Sequence, residues 1–317
     1  MSDRRAFLKK AGIALGIIPL ANLTRFVNAK NLSSDHPICY FTKHLQWLDF
    51  DDLGIALKEA GFDGADLTVR QGGHIKPDAA ATNLPKAVST LQKHGISVPM
   101  VVTKVSSPDE KGLSDFLKAM SDNGVLYYRM GYLDYNHEIS IQKNIDSFHA
   151  VLSRLADLNA KHNICGVYQN HAGTRLGGSI WDLLLALKGI DPNHLGCQFD
   201  VRHATFEGGR SWENDFRAIS DHVRTTVVKD FHWKLNSKGQ WTNNNTLMGK
   251  GMVDFEKYFK LYRELGLKGP ISNHSEYPLL TKEESKLSKT EKMQIAIGRL
   301  RQDVDFTNEF LNKIGLK

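Results

Sequence analysis

At 317 residues, 41% hydrophobic and 24% charged, the chain has an ordinary folded protein's make-up, which excludes a disordered or fibrous class and allows one large α/β domain. Its formal charge of +6 is unevenly placed: Arg4, Arg5, Lys9, Lys10 and Arg25 against Asp3 give residues 1–29 a net +4 and leave only +2 elsewhere. So weak a basic balance gives nucleic acid no electrostatic footing.

Residues 1–29 read as an export signal. Asp3-Arg4-Arg5-Ala6-Phe7-Leu8-Lys9 is similar to the twin-arginine pattern. The apolar run from Ala11 to Ala21 is too short for a stable membrane span, and Val27-Asn28-Ala29 offers a small-residue cleavage site. The expected mature protein is periplasmic, begins near residue 30 and has no stable membrane anchor. Cys39, Cys165 and Cys197 are odd in number and sit in apolar runs, so they are expected as free core residues.

From residue 37 onward, strand-like apolar runs alternate with segments of helical period. Strands are expected over 38–42, 64–69, 98–105, 126–132, 164–171, 196–201, 225–231 and 270–277. Helices are expected over 51–60, 83–94, 111–123, 140–162, 180–190, 212–222 and 254–265, with a long last one over 289–314. Eight strands, each with its helix, predict a single-domain (β/α)8 TIM barrel over 30–317. An open doubly wound sheet would want a glycine-rich phosphate turn after its first strand, and Phe41-Thr42-Lys43-His44-Leu45 has none. Stretches 235–245 and 281–289 read as mobile loops.

In a barrel the C-terminal strand tips share one mouth, so the polar residues that end apolar runs become site candidates. In chain order these are Arg70 and His74, Arg129, Gln169 and His171, Asp200 and His203, Lys229 with Trp233, and His274 with Glu276. Arg70 and His74 suit a substrate hydroxyl or a structural cap. Trp233 suits sugar stacking or packing, and Arg129 needs a partner, either substrate or Asp66.

Four segments give these tips a likeness: Gln169-Asn170-His171-Ala172-Gly173, Asp200-Val201-Arg202-His203-Ala204, Val227-Val228-Lys229-Asp230 and Gly249-Lys250-Gly251-Met252-Val253-Asp254-Phe255. In order and spacing they resemble the sugar-phosphate isomerase/epimerase, or xylose-isomerase-like, barrels. That resemblance implies a small-molecule sugar substrate and a divalent metal held by Glu, Asp, His and Glu. Proton abstraction next to a carbonyl would follow, with the metal as Lewis acid. Asp200 and Glu276 fall on ligand positions, and His203 falls on a substrate-contacting one. The expected metal set is therefore Gln169, Asp200, Glu276 and His274, with Mn²⁺ or Mg²⁺ favoured and Zn or Co allowed. Glu276, His203 and Lys229 are the expected catalytic groups; His74, Arg70, Arg129, His171 and Trp233 are the expected substrate contacts.

Two positions depart from the family pattern. Gln169 stands where it has Glu, and Val227 where it has His. Losing one carboxylate disfavours two-base epimerisation and leaves three readings: an isomerase, a lyase or hydrolase on keto-sugars, and a catalytically inactive sugar-binding barrel. The loss also leaves Lys229 free to act as a fixed electrophile without a metal. A nuclease related to the endonuclease IV barrels would need a basic track that the mature charge does not supply. A homo-oligomer is left open.

Overall fold

The structure, a computed structural model, describes residues 34–317. The expected export signal lies outside the described residues, as does the start of the expected domain at residues 30–33. Eight strands run parallel around a closed barrel. They are β1 (Ile38–Phe41), β2 (Gly64–Thr68), β3 (Ser97–Val102), β4 (Tyr127–Arg129), β5 (Cys165–Gln169), β6 (Leu195–Asp200), β7 (Val223–Val228) and β10 (Ile271–Asn273), and β1 closes on β10. A two-stranded antiparallel ribbon, β8 (Asp230–Leu235) and β9 (Trp241–Thr246), interrupts the series after β7.

The helices form the outer ring: α1 (Phe50–Ala60), α2 (Ala80–Lys93), α3 (Leu113–Asp122), α4 (Ile141–His162), α5 (Ile180–Ala186), α6 (Val201–Gly208), α7 (Trp212–Ile219), α8 (Phe255–Glu264) and α9 (Lys289–Lys313). Their ends follow local chemistry. The Asp49 side chain accepts the Asp52 amide at the start of α1, and Gly61 ends that helix at φ 105°, where a Cβ would be strained. Ser288 and Glu291 form a reciprocal capping box on α9. No described helix is long and apolar enough to cross a membrane. The three cysteines are free and buried.

Three differences from the expected elements bear on the site. The strand expected over 225–231 ends at Val228, and a ribbon strand begins at Asp230. The stretch 235–245 is largely that ribbon's turn and returning strand rather than a loop. A further helix, α6, starts at the tip of β6, with the Asp200 side chain accepting the His203 amide as its cap.

Asp230 explains why the chain turns there. Its carboxylate accepts the amides of Phe231, Gly251 and Val253 at 2.8, 2.8 and 3.1 Å. The Gly249-Lys250-Gly251 loop is thereby folded back under the ribbon. A Cβ on Gly251 would overlap that carboxylate, so only glycine fits.

Candidate active site

The tips of β5, β6, β7 and β10 carry one continuous polar network, and it is buried. Gln169 is 2% exposed, Asp200 0% and Lys229 4%. These three are therefore held by protein groups and not by water, while Glu276, with its side chain 21% exposed, opens to the mouth. Asn170 sets the level of the neighbouring tip: its amide oxygen accepts the Asp200 N–H at 2.7 Å, and its Nδ2 donates to the Asp200 carbonyl at 3.1 Å.

Gln169 is oriented from both sides. Arg129 Nη1 and Tyr132 Oη donate to its Oε1 at 3.0 and 2.7 Å, while its Nε2 donates to Asp200 Oδ2 at 2.7 Å. Arginine is only a donor, so the amide oxygen must face it. The nitrogen is what Gln169 offers to Asp200.

Lys229 Nζ sits where the carboxylates converge. It lies 3.0 Å from Asp200 Oδ2 and 3.6 Å from Glu276 Oε1, and 2.9 Å from His203 Nε2. Lys43, from the loop after β1, holds the other Glu276 oxygen at 2.5 Å. Burial alone would raise the Glu276 carboxyl. The ammoniums of Lys229 and Lys43 outweigh it and bring it down to about 2. His203 is pressed the other way: burial, then Lys229 and other cations, hold its pKa well below the ordinary imidazole value. Arg202 Nη1 faces its Nδ1 at 3.1 Å, so cationic donors face both ring nitrogens of a neutral ring.

His171 packs against His203 with ring centres 3.9 Å apart and planes tilted by 40°, and it engages its Nδ1 with the Ala172 carbonyl at 2.8 Å. A carbonyl only accepts, so Nδ1 carries the proton and Nε2 keeps its lone pair. His171, Arg202, His203, Lys229 and Glu276, with Asn243 and Asn245 from β9, line a chamber of about 350 Å³.

Five expected residues have other surroundings. His74 is enclosed by protein: Thr42 and Thr68 hydroxyls meet its Nδ1 at 3.2 and 3.0 Å, and the Leu45 carbonyl meets its Nε2 at 3.1 Å. Both nitrogens pin the loop after β2 and neither is left for a substrate hydroxyl. Trp233 lies on the ribbon, packed on Phe206 with ring centres 4.6 Å apart and partly exposed. Arg129 makes no ion pair with Asp66; its bond goes to Gln169, and its Nε has no partner. His274 is fully buried beneath Glu276, with Nδ1 3.9 Å from Glu276 Oε1 and Nε2 3.8 Å from Asp66 Oδ2. Arg70 lies over the Phe41 ring, its charge centre 5.4 Å from the ring centre.

The expected metal set does not fit a divalent ion as these side chains stand. Gln169 turns its amide nitrogen to Asp200, Val227 has no donor atom, and the Lys229 ammonium lies between the two carboxylates. Among the described residues no three His, Cys, Asp or Glu side chains converge to hold one. Sequence reasoning did not find Lys43, Tyr132, Arg202 or the two ribbon asparagines. Lys43 stands at a strand tip, the one signal that would have found it.

The sequence profile of the xylose isomerase-like TIM barrels matches residues 55–300. The chain belongs to that family. No curated protein matches the sequence. Solved structures with the same fold include the IOLI protein with a zinc atom, at 16% identity and TM-score 0.64, covering 88% of this chain and 99% of that one. A Methylomonas sp. D-allulose 3-epimerase in complex with D-allulose matches at 14% identity and TM-score 0.59, covering 86% and 96%. A Mycobacterium smegmatis xylose isomerase-like barrel in complex with magnesium matches at 15% and 0.60, covering 88% and 97%. At such identities the likeness carries the fold, and the chemistry has to come from this chain's own residues.

Proposed function

We propose that this barrel is a sugar isomerase-type enzyme that removes a proton next to a carbonyl, with the Lys229 ammonium supplying the positive charge. The observation that carries this reading is Lys229 Nζ, buried and held between Asp200, Glu276 and His203 at the mouth. A fixed ammonium in a dry site is suited to an oxygen on which negative charge develops.

The step balances without an oxidant. Glu276 takes the proton from the carbon beside the carbonyl. The C–H electron pair forms the C=C bond, and the carbonyl π pair moves to oxygen, where Lys229 donates to it. His171 Nε2 passes the hydroxyl proton between the two oxygens, and Glu276 returns its proton to the former carbonyl carbon, which completes an aldose–ketose exchange. Glu276 is a weak base while two ammoniums hold it. When Lys229 turns to the developing oxyanion it releases that carboxylate, and its basicity rises as the reaction needs it. Asp200 and His203 position Lys229.

A second reading is favoured by the surface groove beside the chamber. This groove, about 470 Å³, shares Gly173 and Glu207 with the reaction chamber and is lined by Trp181, Arg175 and Asp182. It leaves room for a substituent on the sugar, so the same enolate in a keto-glycoside would expel that substituent as a lyase does.

The test is hydrogen exchange in D₂O, followed by NMR, with chelator-treated protein and a panel of aldoses, ketoses and oxidised sugars, with and without Mn²⁺. The expected result is deuterium at the carbon beside the carbonyl of one substrate without added metal, lost in Lys229→Met. Exchange that appears only with Mn²⁺ overturns the role of Lys229. Exchange with no sugar at all overturns the enzymatic reading and favours the binding barrel.

A further inference from the structure

The mouth holds more positive charge than it neutralises, and the excess is gathered in one place. Lys43 and Lys229 are paired with Asp200 and Glu276, and Arg175 is paired with Asp134 at 2.7 Å. Among the described residues no carboxylate pairs with Arg70 or Arg129. Both guanidiniums lie with their charge centres 5.4 Å from the Phe41 ring centre, and Lys43 Nζ lies 5.6 Å from the same point. Three cations therefore share one aromatic ring, and two of them lack a counter-charge.

Arg129 is only 7% exposed, and its Nε has no partner. An arginine so buried should bond through each of its donors, because an unmet donor away from water is costly. The nearest acid does not supply the missing charge. Asp66 lies in the barrel interior with its Oδ1 also unpartnered, and burial pushes its carboxyl up to about 7 against the lowering effect of its Ser272 bond and the two arginines. Burial, then the charge of Arg129, also lowers the Arg70 pKa. An anion beside both groups would relieve each of them.

Arg70, Arg129 and Lys104, with Tyr132 and Arg175, line a chamber of about 300 Å³. It adjoins the reaction chamber across Tyr132, whose ring centre is 5.1 Å from that of His171 and whose hydroxyl bonds to Gln169. Lys43, on the same Phe41 ring as both arginines, bonds Glu276 of the reaction chamber, so the two chambers lie side by side.

We propose that the chamber of Arg70 and Arg129 takes an anionic group carried on the substrate, a carboxylate or a phosphate, while the carbonyl end of the same sugar lies against Lys229. The inference rests on the proposed function of this mouth and narrows its substrate class to acidic sugars. Guanidinium forks suit both anions, because their paired donors match two oxygens at once.

The experiment is isothermal calorimetry on the mature protein at low salt with D-glucose, D-glucuronate, D-glucose 6-phosphate and inorganic phosphate. At least one charged sugar is expected to bind about tenfold or more tightly than D-glucose, and increasing salt should weaken it. Which charged sugar gains separates the carboxylate from the phosphate. Arg70→Gln, a half-buried site that spares the fold better than Arg129, should abolish the gain, and Arg70→Lys should keep part of it. Equal affinity for neutral and charged sugars, no binding of any probe, or a gain unchanged in Arg70→Gln overturns the proposal. Binding of inorganic phosphate alone, with no preference among the sugars, overturns it as well. Failure here is separable from failure of the enzymatic reading: D₂O exchange on a neutral sugar with no anion preference removes only this inference, whereas anion-selective binding without exchange on any sugar removes only the enzymatic one.

Discussion

The strand tips and the β8–β9 ribbon both face the mouth, and they are built on opposite terms. The tips are largely buried, and most polar atoms there are held by another protein atom, with Arg129 Nε, Arg202 Nε and His274 Nε2 the exceptions. The ribbon carries Trp233, Leu235 and Trp241 at 39%, 49% and 66% exposure and is anchored mainly through Asp230 at its base. A buried polar network is strong only when complete, since each missing partner leaves a charge or dipole away from water. An exposed hairpin loses little when a side chain is trimmed. The difference implies that chemistry and stability are bound together at the tips and separable on the ribbon.

The largest effect should come from Lys229. Replacing it with Met keeps most of the length of the side chain but removes the charge between Asp200 and Glu276. Breaking one partner out of a buried ion cluster typically costs about 3–5 kcal/mol. The deficit should shrink as the pH falls through the carboxylate range, because protonated carboxyls no longer need the ammonium. Urea unfolding at pH 7 and pH 4 checks this. A variant as stable as the parent at pH 7 would mean that the tips are not the tightly coupled region inferred here.

How much of this was legible in the sequence follows the same division. The barrel is written in eight apolar runs whose ends turn polar, and Asp200, His203, Lys229 and Glu276 could be read from those ends and do meet in space. Lys43 was passed over although it follows the tip of β1, because its ion pair with Glu276 spans the chain and leaves no local pattern. Helix α6 escaped notice because it is only eight residues long and begins on Val201, directly after the Asp200 that ends β6. The ribbon escaped because Trp241-Thr242-Asn243-Asn244-Asn245-Thr246 has no apolar alternation; its order comes from six cross-strand pairs with β8. His74 stayed open between a substrate contact and a structural cap, since an imidazole in a Gly-Gly loop carries no sign of the two hydroxyls and the carbonyl that enclose it.

The second effect concerns Asp66, beneath the tips. Its folded pKa of about 7 lies above the ordinary 3.8, so burial makes its charged form unfavourable. Well below pH 3.8 both folded and unfolded states hold the proton and nothing is lost, and at pH 4 the loss is still small. As the pH rises toward 7 the unfolded chain releases the proton more readily, and above 7 the folded protein carries the full penalty, about 2–4 kcal/mol. Asp66→Asn should therefore raise the melting temperature at pH 8 and leave it nearly unchanged at pH 4. A stabilisation of equal size at both pH values would point to better packing and not to relief of a buried charge.

The smallest effect is expected on the ribbon, and it sharpens the comparison most. Directly paired residues of an antiparallel ribbon share a face, so Phe231 with Asn245, Trp233 with Asn243 and Leu235 with Trp241 lie on one side. That side looks over the mouth: Asn245 accepts from Arg202 Nη2 at 3.1 Å, and Asn243 and Asn245 line the reaction chamber. Trp241 is its most exposed aromatic and touches nothing whose loss would leave a cavity. Trp241→Ser should change stability by no more than about 0.5 kcal/mol, as surface substitutions usually do. If the ribbon helps to hold the sugar, the same change should weaken sugar binding by a few-fold while leaving D₂O exchange at saturating sugar intact. Thermal unfolding and calorimetry on the one variant give both readings. A large loss of stability would show that the ribbon is as integral to the fold as the strand tips, and the contrast between the two regions would fall.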